Sequence, residues 1–287
     1  MALEYSFARR SNASGQSSQK LVCNIWELGS LANSNQLIDV PIRSHGLRNC
    51  STIIMLNLSE PSELLVDLEC ALQGLKQSFA NNNSDSEIRA FKDRILDEGN
   101  FREHVDINTL EILACQTIIV GGMYDKFQDL DPEIRKHVTR FLRSVAHTLG
   151  ASLIFYSEKT PSLTKMLRDV LNSLAFGSPQ NPIRLHKTDY NEPIIISRLT
   201  DSWEQIGVLP SNSERINITY SSQINQKKIS EDKELDNPAK DSNFREQAID
   251  DARLLKDEEL FRLIKNSEMK LKFDSFNLNN SPFNYSN

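Results

Sequence analysis

Two acidic residues sit where a strand-rich chain could do chemistry, each just past an aliphatic run. Glu27 follows Leu21-Val22-Cys23-Asn24-Ile25-Trp26, and Asp125 follows Gln116-Thr117-Ile118-Ile119-Val120-Gly121 after a three-residue spacer. A carboxylate at a strand end can accept N–H groups of a ring or hold a hydrated cation. The other reactive residues are scattered. His45, His104, His137, His147 and His186 are far apart, and none pairs with another His or a Cys at metal-ligand spacing. His137 and His147 share one expected helix but lie ten residues apart. Cys23, Cys50, Cys70 and Cys115 have no C-x-x-C spacing and read as free thiols of a reducing compartment. There is no G-x-S-x-G elbow, and the pairs Asp250-Asp251 and Glu258-Glu259 belong to a charged helix. No catalytic, cofactor-binding or metal residue, and no cofactor, is assigned from these patterns.

Ligands in open α/β sheets bind at the carboxyl ends of the strands, and a Ras-like reading gives each strand end a role. Trp26-Glu27-Leu28-Gly29 falls where Asp-x-x-Gly would hold Mg²⁺ through water, and the aspartate is missing. Glu27 either aligns with the residue before Leu28 or stands in for the acid one residue late. Gly122-Met123-Tyr124-Asp125 falls where Asn-Lys-x-Asp would read guanine. Asp125 either accepts from a base or serves as a loop or cap carboxylate; Met123 brings no ammonium and Gly122 no amide. Tyr156-Ser157-Glu158 stands in place of Ser-Ala-Lys. No G-x-x-x-x-G-K-[ST] occurs, and the only Gly-Gly pair, Gly121-Gly122, precedes an aromatic and acidic loop. Without a cradle of backbone N–H groups and a lysine, a triphosphate loses its main support. Nucleotide hydrolysis is not expected.

The elements that would carry these loops alternate. Strands are expected at Leu21 to Trp26, Ser51 to Leu58, Gln116 to Gly121 and Ala151 to Tyr156, the last three apolar enough to be covered on both faces. Helices are expected from Leu64 to Phe79 with Ser62 as N-cap, from Asp131-Pro132 to about Thr148 closed by Gly150, and from Thr160-Pro161 to before Gly177. Pro193 to Ile196 adds a strand or an edge. The fold class is α/β, a truncated P-loop-GTPase-like, doubly wound sheet with a helical and disordered C-terminal tail. Residues 1–207 form that domain without the first strand and phosphate loop, 208–242 a polar, disordered linker, and 243–287 a charged helix and disordered tail. The helix is expected from Phe244 to Lys265, Asn277 to Asn287 are expected to be disordered, and Ala80 to Ser86 is expected as a flexible break.

The 287 residues are 39% hydrophobic and 7% aromatic, with a formal net charge of -6. Acidic charge and scattered Lys and Arg argue against a nucleic-acid binder. No run nears the ~20 apolar residues of a membrane helix, so no membrane association is expected.

Several stretches together resemble the dynein light intermediate chain family, in its dynein-2 branch. They are Ala2-Leu3-Glu4-Tyr5-Ser6-Phe7-Ala8-Arg9-Arg10, Trp26 to Gly29, Leu56-Asn57-Leu58-Ser59-Glu60-Pro61, Tyr124-Asp125-Lys126-Phe127-Gln128-Asp129 and Arg140 to His147 running on to Leu153. Leu174-Ala175-Phe176-Gly177, Asp201-Ser202-Trp203-Glu204-Gln205-Ile206-Gly207 and Asn237-Pro238-Ala239-Lys240-Asp241 continue the match. The resemblance implies a non-catalytic motor subunit in the cytoplasm and cilium. It would bind the dynein-2 heavy-chain tail and other dynein-2 subunits, and through them microtubules and intraflagellar transport trains. The family's chains begin with a strand, a phosphate loop and a helix that have no counterpart here. A shorter isoform, a truncated gene model and a lineage that dropped them are three readings of that difference. An amphipathic helix that the family carries before the tail also looks replaced by the polar stretch around Ser211 to Lys233. Loss of the first strand is expected to leave a sheet edge or apolar face open. The competing readings are a small GTPase-like switch whose phosphate loop is missing from this chain, and a generic adaptor working through the helix from Phe244 to Lys265.

Overall fold

The computed structural model describes residues 3–11, 20–29, 35–99, 101–177, 183, 186–227 and 246–279. The chain divides into two units, residues 1–228 and 229–287.

The larger unit is built on β3 (Ser51–Asn57), β4 (Gln116–Gly122), β5 (Ser152–Phe155) and β6 (Ile195–Ile196), in that order across one sheet. β3, β4 and β5 run parallel, with Ile54 opposite Ile119 and Val120 opposite Ile154; β6 runs antiparallel to β5. β4 and β5 carry the expected continuous apolar runs and are buried almost throughout. Two further strands, β1 (Leu3–Ser11) and β2 (Lys20–Leu28), pair among the described residues with each other alone, as an antiparallel hairpin. The strand expected at Leu21 to Trp26 therefore forms, but outside the parallel sheet. Its polar, alternating partner Leu3–Ser11 carried no strand signal strong enough to foresee the hairpin.

The helices are α1 (Asp39–His45), α2 (Leu64–Asn82), α3 (Asp85–Glu98), α4 (Tyr124–Phe127), α5 (Pro132–Leu149), α6 (Pro161–Phe176), α7 (Trp203–Ile206) and α8 (Ser213–Gln223). The crossovers β3 to β4 and β4 to β5 step the same way across the sheet, so right-handed connection places α2 and α5 on one face. α5 forms as its sequence prescribes. The Asp131 side chain accepts the Glu133 N–H, Pro132 takes the first turn, and Gly150 closes the helix at φ 64°. Gly121 is needed for close packing: a Cβ there would lie 2.8 Å from Leu58.

Three expectations are corrected. The N-cap of α2 is Glu63, not Ser62. The break at Ala80 to Ser86 is mostly helix: α2 continues to Asn82 and α3 starts at Asp85 from a Ser84–Glu87 capping box. The linker expected over 208–242 contains α8, whose Ile216 and Tyr220 are buried against the core. Asn212 caps it by accepting the Arg215 N–H, and the side chains four residues apart share the inner face. α8 packs on both α2 and α5. The Tyr220 ring stacks on Phe141 at 3.9 Å, and its hydroxyl donates to the Pro61 carbonyl at 2.7 Å. Residues 228–242 lie outside the described set.

The smaller unit contributes one described element, α9 (Gln247–Asn279). It runs well past the expected end at Lys265 and includes Asn277 to Asn279, where disorder was expected; the rest of that tail, 280–287, lies outside the described residues. Leu254, Leu255, Leu260, Phe261, Leu263 and Ile264 on it are exposed.

Removing the α8 anchor should be costly. Tyr220→Ala is expected to lower the unfolding free energy by about 3–5 kcal/mol, from lost burial plus a cavity against Phe141. Urea denaturation at constant m-value measures it; a loss below about 1 kcal/mol would mean that α8 is not docked.

Candidate functional site

At the carboxyl ends of β4 and β5 the chain satisfies its own polar groups. Met123 adopts a left-handed conformation at φ 60° and turns the chain into α4, which holds Asp125 in its first turn. The Asp125 carboxylate accepts from the Ser157 hydroxyl at 2.9 Å and from the Lys159 ammonium at 2.6 Å. The Lys159 hydrogen bond, and after it that of Ser157, hold the Asp125 carboxyl below its ordinary pKa; Asp125 in turn raises Lys159. Both carboxylate oxygens are thus engaged within the chain. In this arrangement Asp125 ties the loop after β4 to the loop after β5. Ser157 lies in the strand-end motif Tyr156-Ser157-Glu158, whereas Lys159 falls just beyond it and carries no sequence signal.

Glu27 is far from this arrangement in topology. It lies on β2 opposite Glu4 of β1, outside the parallel sheet, and does not join Asp125. Neighbouring Trp26 packs against Tyr5 at 4.7 Å and lies 6.4 Å from the His45 ring. The hairpin is held by aromatic contacts, and among the described residues no metal-binding group accompanies Glu27.

A second polar cluster lies beneath α5 and α7. Arg143 and Asp201 are both buried and form a two-pronged ion pair, Nε to Oδ2 at 2.8 Å and Nη2 to Oδ1 at 2.7 Å. The same Nη2 donates to the Gln205 carbonyl. Beside it, Asp106 Oδ2 accepts from His147 Nε2 and from the Trp203 N–H, both at 3.0 Å. His104 Nδ1 accepts the Asp106 N–H, so its Nε2 carries the proton and donates to the Asp201 carbonyl. His104, Asp106 and His147 offer ligand-type atoms within 4.8 Å of one another. Their lone pairs do not converge on a cation: both nitrogens of His104 and Nε2 of His147 are committed to hydrogen bonds. The cluster fastens the loops before β4 and after β6 to α5. Sequence spacing gave no sign of it, because Arg143 and Asp201 are 58 residues apart.

On the far side of the sheet, β3 is an edge strand. Leu58 N–H bonds to the Gly122 carbonyl, so by alternation Ile54 and Leu56 point their backbone groups at β4, and Ile53 and Met55 point theirs outward. The Ile54 and Leu56 side chains are buried, whereas Ile53 is 38% and Met55 60% exposed. The expectation that this strand is covered on both faces is corrected: an edge strand with helix α2 on one face leaves the other to solvent.

No family model matches the chain. It is 33% identical over 293 residues to cytoplasmic dynein 2 light intermediate chain 1 of Bos taurus, an alignment spanning 95% of this chain and 81% of the relative. The chain belongs to the dynein-2 light intermediate chain family. The human relative of the same name is 32% identical with the same coverage, and that of Danio rerio 32% identical over 91% of this chain and 76% of its own. A crystal structure of the conserved domain of a dynein light intermediate chain superposes with a TM-score of 0.55. It covers 78% of this chain and 82% of that one at 19% identity. The fold of this family member is P-loop-GTPase-like.

Two outcomes test the buried cluster. Asp201→Ala should cost about 3–5 kcal/mol by stranding the Arg143 charge, and pairing it with Arg143→Met should recover most of that loss in urea titrations. Burial lowers the His147 pKa below its ordinary 6.5, against the opposing pull of Asp106. A depressed histidine stabilises the fold fully above the unfolded-state value, and this is lost as pH falls through it. His147→Gln should therefore lose less stability than the parent between about pH 7 and 5.

Proposed function

We propose that this chain is a non-catalytic subunit of the cytoplasmic dynein-2 motor. In this reading it binds and stabilises the heavy-chain tail and serves retrograde intraflagellar transport and cilium assembly, in the cytoplasm and the cilium. The observation that carries the proposal is the near-full-length similarity to dynein-2 light intermediate chains. The internal engagement of Asp125 by Ser157 and Lys159 supports a role other than guanine readout. The action required is passive: apolar surface on the sheet-and-helix body is covered by helical segments of the heavy chain. Ile53 and Met55 are the candidates for that surface, because an uncovered apolar strand face favours a partner over water.

Co-purification with the dynein-2 heavy-chain tail tests the proposal, with nucleotide content of the complex read by absorbance. Stable association with no bound guanine nucleotide is expected. Failure to associate overturns the subunit reading, and stoichiometric nucleotide would favour the GTPase-like switch. Met55→Glu should leave the fold intact and reduce heavy-chain recovery by about tenfold or more.

A further inference from the structure

Two of the four cysteines lie side by side at the amino ends of neighbouring strands. β3 and β4 pair in parallel from Ser51 opposite Gln116. One residue earlier on each chain stand Cys50, in extended conformation at φ −96° and ψ 143°, and Cys115. The two side chains share a face of the sheet. Cys50 and Thr52 are two residues apart on one strand, so they point the same way. Cys115 Sγ in turn lies 3.3 Å from Thr52 Oγ1 and 3.6 Å from Thr117 Oγ1. Neighbouring strands are about 4.7–4.9 Å apart, within the range of Cα separations that a disulfide spans. Both thiols are reduced here; Cys115 is buried and Cys50 half-buried, its S–H directed at the Pro41 carbonyl 3.9 Å away.

We propose that Cys50 and Cys115 are an oxidisable pair, in which a hydroperoxide converts the two thiols to a disulfide that ties the amino ends of β3 and β4 together. Cys50 is the attacking sulfur because it is the more exposed. Its thiolate attacks one peroxide oxygen, the O–O bond breaks, and Cys50 becomes a sulfenic acid as hydroxide leaves and is protonated to water. The Cys115 sulfur then displaces the sulfenic hydroxyl, giving the S–S bond and a second water. In total two thiols and one hydrogen peroxide yield one disulfide and two waters. Cys50 must first rotate about χ1, away from Pro41 and toward Cys115. Burial pushes both thiols above their ordinary pKa, with Cys115 adding to the rise at Cys50. The reaction is accordingly slow at neutral pH and speeds up with the thiolate fraction, about tenfold per pH unit below the thiol pKa. A bond closing the loop from Cys50 to Cys115 also constrains the unfolded chain, and β3 gains a covalent tie to β4, its neighbour in the sheet.

The full chain is treated with hydrogen peroxide, the oxidant is removed, the remaining thiols are alkylated in denaturant, and the digest is mapped without reductant. A Cys50–Cys115 cross-linked peptide is expected, reversed by dithiothreitol, with Cys23 and Cys70 alkylated. The oxidised chain should melt about 5 °C or more above the reduced one. Cys115→Ser should stop at the Cys50 sulfenic acid, trapped with dimedone. Alkylation of both residues after oxidation overturns the proposal. So does over-oxidation of Cys50 without a link, or linkage through Cys23 or Cys70. The map of the parent protein decides the matter even if the serine variant does not fold.

Discussion

A parallel strand must be covered on both faces, because its crossover helices and its apolar sequence leave no face suited to water. β4 and β5 meet that requirement, and their burial sets the positions of α2, α5 and the loops between them. β3 meets it on one side only. Its inner face holds Ile54 and Leu56 against the core, and its outer face and edge stay open at Ile53 and Met55. The molecule therefore divides into a self-sufficient half around β4 and β5 and an unfinished margin at β3. The margin is where a partner has most to gain by binding.

The polar chemistry follows the same division. Around β4 and β5 the polar groups pair with one another: Asp125 with Ser157 and Lys159, Arg143 with Asp201, Asp106 with His147 and Trp203. Internal pairing of this kind satisfies buried groups and leaves little capacity for a ligand. At Gly122 to Asp125, the Asp125 hydrogen bonds brace the loop that follows β4 against the one that follows β5.

The periodic parts of the fold were legible in the sequence. The apolar runs gave β3, β4 and β5, and Asp131-Pro132 with Gly150 fixed both ends of α5, since these signals act within one or two turns. α3 had a readable start in Ser84 and Glu87, but its low apolar content hid it. α8 was misread because Ser, Asn, Thr and Ile make a poor helix by propensity; burial of Ile216 and Tyr220 overrides that preference. The Arg143–Asp201 pair was invisible because only the completed chain path brings its members together. Sequence spacing reports on local structure, and this contact is long-range.

The Tyr220–Pro61 hydrogen bond joins residues 159 positions apart. As the chain leaves the ribosome, α2 and α5 must wait for α8 before their shared groove is covered. Synthesis at about 5–20 residues per second puts several seconds between the making of α5 and of its cover. For that interval Phe141 lacks its stacking partner and apolar surface is open to other chains. Assembly of this protein thus has a vulnerable period set by the order of its sequence, closed by one short helix that arrives late.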